Sequence, residues 1–257
     1  MPSWDPEIYE RYKTYRDRPA LDLLLQVPAE LDPREIWDLG CGTGEHAAVL
    51  AARHPAARVH GLDSSPQMLA AAGRRESRVD WVLGDVAAFA PETAPDLIFT
   101  NAALHWLDDH ARLFPKLAGS LAVGGVLACQ MPLSRTCDWH RVLRETAADP
   151  RWAARLEGLS GLQAVANADD YYGWLAPVCG ALDIWSTTYL HVLDGEDPVV
   201  DWMMGAGLRP YLDALGEPKL RAAFLDAYRD QVAEVVPRRQ DGTTLFAFPR
   251  LFILARR

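Results

Sequence analysis

The run Asp38-Leu39-Gly40-Cys41-Gly42-Thr43-Gly44 constrains this chain more than any other stretch. It completes Ile36-Trp37-Asp38-Leu39, which reads as a β-strand, and it precedes Glu45 to Arg53, which reads as a helix. A strand that turns so soon into a helix needs backbone unencumbered by Cβ atoms, and a ligand can then lie against it. The helix start adds unpaired N–H groups and a partial positive charge, both suited to a carboxylate or other anion. A strand, a glycine loop and a helix in this order are the opening of a βαβ unit.

The alternation continues downstream. Val59 to Leu62 reads as a second strand ending at Asp63, and Ser65-Pro66 opens the next helix with a hydroxyl cap and a proline at its first position. Trp81-Val82-Leu83, Leu97 to Thr100 and Val126 to Gln130 read as the third, fourth and fifth strands, with a helix from Leu113 to Leu121 before the Gly124-Gly125 turn. Short strands alternating with helices predict a doubly wound α/β domain with a mostly parallel sheet. The pattern changes after about residue 133. Ser134 to Tyr172 has helical character, Ile184 to Tyr189 reads as a strand, Val199 to Met204 and Leu220 to Val232 read as helices, and Arg250 to Ala255 closes the chain as a strand. The expected architecture is one domain over residues 1–257: a cofactor-binding core at about 30–132, and a helical lid or substrate-binding insertion at about 133–180 and 195–240.

Charge and cysteine usage limit the partners. A net charge of −9 with no Lys/Arg run longer than a doublet argues against nucleic acid and anionic membranes. Leu117 to Met131 is uncharged but is broken by glycines and is too short to span a bilayer. Cys41, Cys129, Cys137 and Cys179 form no C-x-x-C pair, and His105 and His110 have no usual metal-ligand spacing, so no metal is expected. With no apolar leader at the N-terminus, the expected location is cytoplasmic, as a monomer or weak dimer.

The acids around the glycine loop suggest the ligand. Asp63 stands at the end of the second strand, where a carboxylate can accept from both hydroxyls of a ribose. Gly42 to Ala47 also fits a G-x-G-x-x-A frame for a nicotinamide dinucleotide. Against that reading, Asp38 would repel a pyrophosphate but can take an ammonium group. The frame also starts late relative to the strand end. Asp85, after the third strand, supplies a second acid where an adenine amino group can be held.

Asp38 to Gly44, Asp63 with Ser64 to Met68, and Gly84-Asp85-Val86 resemble the first three motifs of class I S-adenosylmethionine methyltransferases. The resemblance implies a seven-stranded Rossmann-like sheet and S-adenosyl-L-methionine as cofactor. In that family pattern Asp38, Gly40, Cys41, Gly42 and Gly44 surround the methionine end, Asp63, Ser64 and Met68 the ribose, and Asp85 and Val86 the adenine. Asn101 is a further cofactor-binding candidate, at the end of the fourth strand, where such enzymes also meet their acceptor. The Asn101-Ala102-Ala103-Leu104-His105-Trp106 run lacks the prolines of amino-group methylases, which argues against adenine or glutamine methylation.

Over nearly the whole chain the sequence is similar to trans-aconitate 2-methyltransferases. The similarity is carried by Trp4-Asp5-Pro6 with Tyr9, Arg16, Arg18-Pro19, His105-Trp106-Leu107, Gln130-Met131-Pro132, Thr187-Thr188-Tyr189, Gly207-Leu208-Arg209-Pro210 and Phe248-Pro249-Arg250-Leu251-Phe252. It implies a small polycarboxylate acceptor, and Trp4 and Tyr9 on a segment closing over the cofactor. A carboxylate is already ionised at neutral pH, so transfer needs positioning and no general base. Arginines suit such an acid because each can grip a carboxylate with two N–H groups. Arg16, Arg18, Arg209 and Arg250 are the candidate acid-binding cations, His105 and Tyr189 candidate donors, and His105 with Trp106 the positioning pair. Two other readings stay open: the same chemistry on another acceptor, such as a malonyl thioester, and a non-catalytic S-adenosylmethionine sensor.

Overall fold

A computed structural model describes residues 12–75, 77–159, 165–205 and 207–257. Trp4 and Tyr9 lie outside the described residues. Seven strands form one sheet: β1 (Glu35–Leu39), β2 (Arg58–Asp63), β3 (Val79–Leu83), β4 (Leu97–Asn101), β5 (Val126–Pro132), β6 (Ala181–Leu193) and β7 (Thr244–Arg256). Their order is β3-β2-β1-β4-β5-β7-β6. β1 to β5 pair in parallel, and β7 runs antiparallel to β5. This is the doubly wound, mostly parallel sheet that the alternation of strands and helices implies. All of β5 is buried, as is expected of a strand inside a parallel sheet covered on both faces.

Helices α1 (Lys13–Gln26), α2 (Glu45–Arg53), α3 (Pro66–Ala72), α4 (His110–Ser120), α5 (Asp138–Ala147), α6 (Ala168–Leu175), α7 (Pro198–Met204), α8 (Arg209–Leu215) and α9 (Pro218–Val235) connect the strands. The Ser65 hydroxyl accepts from the Met68 N–H at the start of α3, and Pro66 follows it, as the local sequence dictates. Other boundaries differ from the sequence reading. The sequence reading names no element before β1, and α1 forms there with Pro19 inside it. α8 begins at an Arg-Pro pair that reads locally as a turn, and Pro210 occupies the first turn, where a missing N–H costs nothing. β6 and β7 both extend well beyond their apolar cores.

The chain falls into two compact units. The sheet unit comprises residues 19–132, 165–187 and 250–257, and the helical unit comprises residues 1–18, 133–164 and 188–249. The helical unit has its own apolar core, in which Trp139, Trp202, Phe224, Tyr228, Phe246 and Phe248 are among the buried residues. Trp139 stacks on Phe248 with centroids 5.0 Å apart. No helix among the described residues is long and apolar enough to cross a membrane.

Candidate active site

Because β1 to β5 run in the same direction, the segments that follow them all emerge at one edge of the sheet. The order reverses between β1 and β4, and a crevice opens outside the strand ends at such a reversal. The glycine loop after β1, Asp63 at the end of β2, Asp85 after β3 and Asn101 at the end of β4 all lie along this edge. β7 runs the other way, and Arg250 pairs with Pro132, which places Arg250 at the same edge.

The loop is braced from its neighbour strand. Gly40 and Cys41 donate to the Leu62 carbonyl at 2.8 and 3.0 Å. Asp63 accepts from the Gly42 N–H at 2.9 Å through Oδ2 and from the Ser65 N–H at 2.8 Å through Oδ1. Each carboxylate oxygen keeps a further lone pair for a ligand hydroxyl. Asp63 therefore shapes the loop as well as being placed to bind, a duty invisible in the sequence. The glycines divide by surroundings. Gly44 has φ +78°, and a Cβ there would overlap the Trp81 ring; Gly42 has φ +54° and faces open space. One is needed for packing, the other leaves bare backbone toward the crevice.

Asp38 is 1% exposed, and its Oδ2 has no hydrogen-bond partner among the described residues. Burial pushes its pKa up to about 7; the Ala47 N–H opposes this, and the Asp63 charge adds to it. A buried carboxylate with an unused oxygen is a ready acceptor for a cationic ligand group. The Cys41 thiol, pushed up by burial and by both aspartates, stays protonated. Asp85 is exposed; its Oδ1 caps the Ala87 N–H at 2.8 Å. Val86 is buried beside it, Ser64 is exposed, and Met68 and Leu83 present apolar surface at this edge.

The ends of β4 and β5 hold a second group of unsatisfied polar atoms. Asn101 Oδ1, Thr100 Oγ1, Gln130 Nε2 and His105 Nδ1 are all buried without a partner among the described residues. Asn101 and Gln130 are register neighbours. Buried polar atoms are almost always paired in folded proteins, so this concentration marks a place for a ligand. Thr100 and Gln130 were not among the expected site residues, since inside apolar strand runs they read as ordinary strand positions. Ala102 adopts φ +51°, rare for a residue with a Cβ, and its N–H donates to the Gln130 carbonyl at 2.9 Å. His105 is pushed down to about 3 by burial, then by Arg250 and by His110. It is therefore neutral and can donate a hydrogen bond but carries no charge. Trp106 packs against it at 4.8 Å and is 42% exposed.

The expected acid-binding residues fall in both units. His105 and the buried Arg250 lie in the sheet unit, close enough for the guanidinium to depress the imidazole. Arg16, Arg18, Tyr189 and Arg209 lie in the helical unit. There Arg18 sits over the Tyr189 ring at 5.4 Å, and Arg16 donates to the Trp202 carbonyl at 3.0 Å while lying over the Trp202 ring. Arg209 is half-buried at the start of α8 and makes no hydrogen bond or ion pair among the described residues. Among the described residues no group of His, Cys, Asp and Glu is arranged to hold a metal ion.

Comparison with known proteins agrees with this geometry. A family model described as "Methyltransferase domain" matches residues 36–125, the span from β1 to the turn before β5. The trans-aconitate 2-methyltransferase of Methylobacterium radiotolerans is 46% identical over 100% of this chain and 99% of its own length. That of an Azoarcus species is 45% identical over 99% of each. Among solved structures, the YcgJ protein of Bacillus subtilis superposes with a TM-score of 0.59 at 14% identity, covering 93% of this chain and 98% of its own. The BH2331 protein of Bacillus halodurans gives 0.57 at 15% identity over 93% of this chain and 98% of its own. Likenesses at that identity establish the fold.

Proposed function

Because this chain belongs to the trans-aconitate 2-methyltransferase family, we propose that it transfers the methyl group of S-adenosylmethionine to one carboxylate of trans-aconitate, giving a monomethyl ester and S-adenosylhomocysteine. The observation that carries the reading is the line of unsatisfied buried polar atoms along one sheet edge: Asp38 Oδ2 at β1, Asn101 Oδ1 at β4 and Gln130 Nε2 at β5. The cofactor contributes an electrophilic methyl on a positively charged sulfur. Asp38 would hold its ammonium group, and the bare backbone at Gly42 would face its methionine part. Asp63 would take the ribose hydroxyls with the lone pairs left after its two backbone contacts. The free Oδ2 of Asp85 would take the adenine amino group, with Met68, Leu83 and Val86 against the ring.

The acceptor needs no proton removed, so this chain's work is orientation and water exclusion. Arg250 would grip a carboxylate, and neutral His105 and Asn101 would donate to its oxygens. With His105 depressed to about 3, the imidazole competes for no proton at working pH. Trp106 would cover this side. Arg16, Arg18, Tyr189 and Arg209 are the helical unit's candidate contacts to the acid, Arg209 the foremost because its charge is unspent. Steady-state kinetics tests the assignment. Arg250→Met and Arg209→Ala should each raise the trans-aconitate KM about tenfold or more, the loss of one charged hydrogen bond, with unchanged S-adenosylhomocysteine affinity by calorimetry. An unaltered KM removes that arginine from the site.

A further inference from the structure

We propose that the helical unit carries a carboxylate-binding subsite, formed by Arg144 with Tyr211 and His140, that takes a carboxylate of a small polycarboxylic acid. The proposal rests on the reading above of a polycarboxylate acceptor. It starts from how the charges on α5 are spent. Arg141, on the exposed side, takes both of the helix's acids: Asp138 at 3.1 Å and Glu145 at 2.9 Å. Arg144 is left without an acid. Its Nη1 donates to the Arg135 carbonyl at 3.1 Å and to His140 Nδ1 at 2.6 Å, which uses both N–H groups of that nitrogen. Nε and Nη2 have no acceptor among the described residues. Those two nitrogens carry the parallel N–H pair that grips a carboxylate with two bonds.

The surroundings favour an anion. His140 is held well below its ordinary value, at about 4, by burial and then by Arg144 and Arg135. It is neutral, and as Nδ1 accepts from Arg144 its proton sits on Nε2, a second donor. Tyr211, on α8, is 4% exposed; burial raises its pKa and the Arg144 charge opposes that, so the two groups lie within electrostatic reach. The Tyr211 hydroxyl has no hydrogen-bond partner among the described residues. Ser134, which precedes Arg135, is 3% exposed with an unpartnered hydroxyl. From α9, the neutral Tyr228 faces Tyr211, and its hydroxyl is spent on the Trp139 carbonyl at 3.1 Å. The charges that depress His140, Arg144 and Arg135, are both positive. A half-buried guanidinium with its forked edge unused, flanked by neutral donors and a second arginine, is the chemistry of a carboxylate subsite.

The test is calorimetric titration of the full chain with tricarballylate, a saturated tricarboxylate that cannot be confused with turnover. Wild-type protein should bind it, R144Q should lose at least tenfold in affinity, and R144K should fall between, because lysine keeps the charge and loses the fork. Y211F should weaken binding by a smaller factor. R141Q, whose guanidinium is already spent on Asp138 and Glu145, should bind as wild type does, and all variants should bind S-adenosylhomocysteine equally, which excludes misfolding. Binding by R144Q equal to wild type, or no binding by wild type, overturns the subsite. Wild-type protein that binds tricarballylate through Arg144 but forms no ester from trans-aconitate keeps the subsite and overturns the functional reading.

Discussion

Replacing Asp38 by Asn should make the unliganded protein more stable and the liganded protein weaker. The side chain is 1% exposed, and its pKa rises from 3.8 to about 7. That is roughly three units, or about 4 kcal/mol, by which the fold disfavours the ionised form at pH 8. The sign follows from proton binding. Between pH 4 and 7 the unfolded chain has lost this proton while the folded chain holds it. The stability it contributes is therefore complete below about pH 4 and gone above about pH 7. Asparagine has no charge to bury but places an NH2 where Oδ2 has no partner, at a cost of about 1–3 kcal/mol. The net gain at pH 8 is about 1–3 kcal/mol, a rise in Tm of roughly 3–10 °C for a chain of this size. It should vanish by pH 5. The same change removes the ionic partner of the cofactor's ammonium group, so S-adenosylhomocysteine affinity should fall about 10- to 100-fold. Thermal melts of both proteins at pH 5 and pH 8, with calorimetry at pH 8, decide the matter. A Tm difference independent of pH would refute the reasoning about the buried charge, and unchanged affinity would refute the ammonium assignment.

Asp63→Ala should lower S-adenosylhomocysteine affinity by roughly 10- to 100-fold, since a charged acceptor of the ribose is lost. Unlike a purely ligand-binding change it should also lower the Tm without ligand, because the Gly42 and Ser65 N–H groups lose their acceptor. Gly44→Ala should destabilise the fold by about 2–5 kcal/mol in chemical denaturation, from the overlap with Trp81 and the left-handed backbone together. Gly42→Ala, which meets open space, should cost only about 1–2 kcal/mol of stability while weakening cofactor binding. Equal destabilisation by the two substitutions would contradict the division of labour between these glycines.

Local signals carried much of this fold. The glycine loop, the Ser65-Pro66 cap and the β-like runs of β1 to β5 each state their structure within a few residues, because turn geometry and capping are local. Elements decided by distant packing were less legible. α1 contains Pro19 and becomes a helix in its tertiary setting, and Tyr12, just before it, lies in the core of the helical unit. The outer parts of β6 and β7 carry polar residues between apolar ones, so their length follows from the pairing partners. The site divides in the same way. Asp38, Asp63 and Asp85 were readable because each stands at or just beyond the end of a strand. The unsatisfied state of Thr100 and Gln130 depends on what the neighbouring strands fail to offer. Arg144 sits in a charge-rich helix, where only the pairing of Arg141 with both acids reveals which guanidinium edge is unspent.

The central claim is methyl transfer to a carboxylate of trans-aconitate, and product analysis tests it most directly. Purified protein would be incubated with methyl-labelled S-adenosylmethionine and, separately, trans-aconitate, cis-aconitate, citrate, isocitrate and a malonyl thioester, with products read by mass spectrometry. The account predicts a labelled monomethyl ester, formed chiefly from trans-aconitate. Label in the thioester, or in none of the acids while S-adenosylhomocysteine still binds, would contradict it.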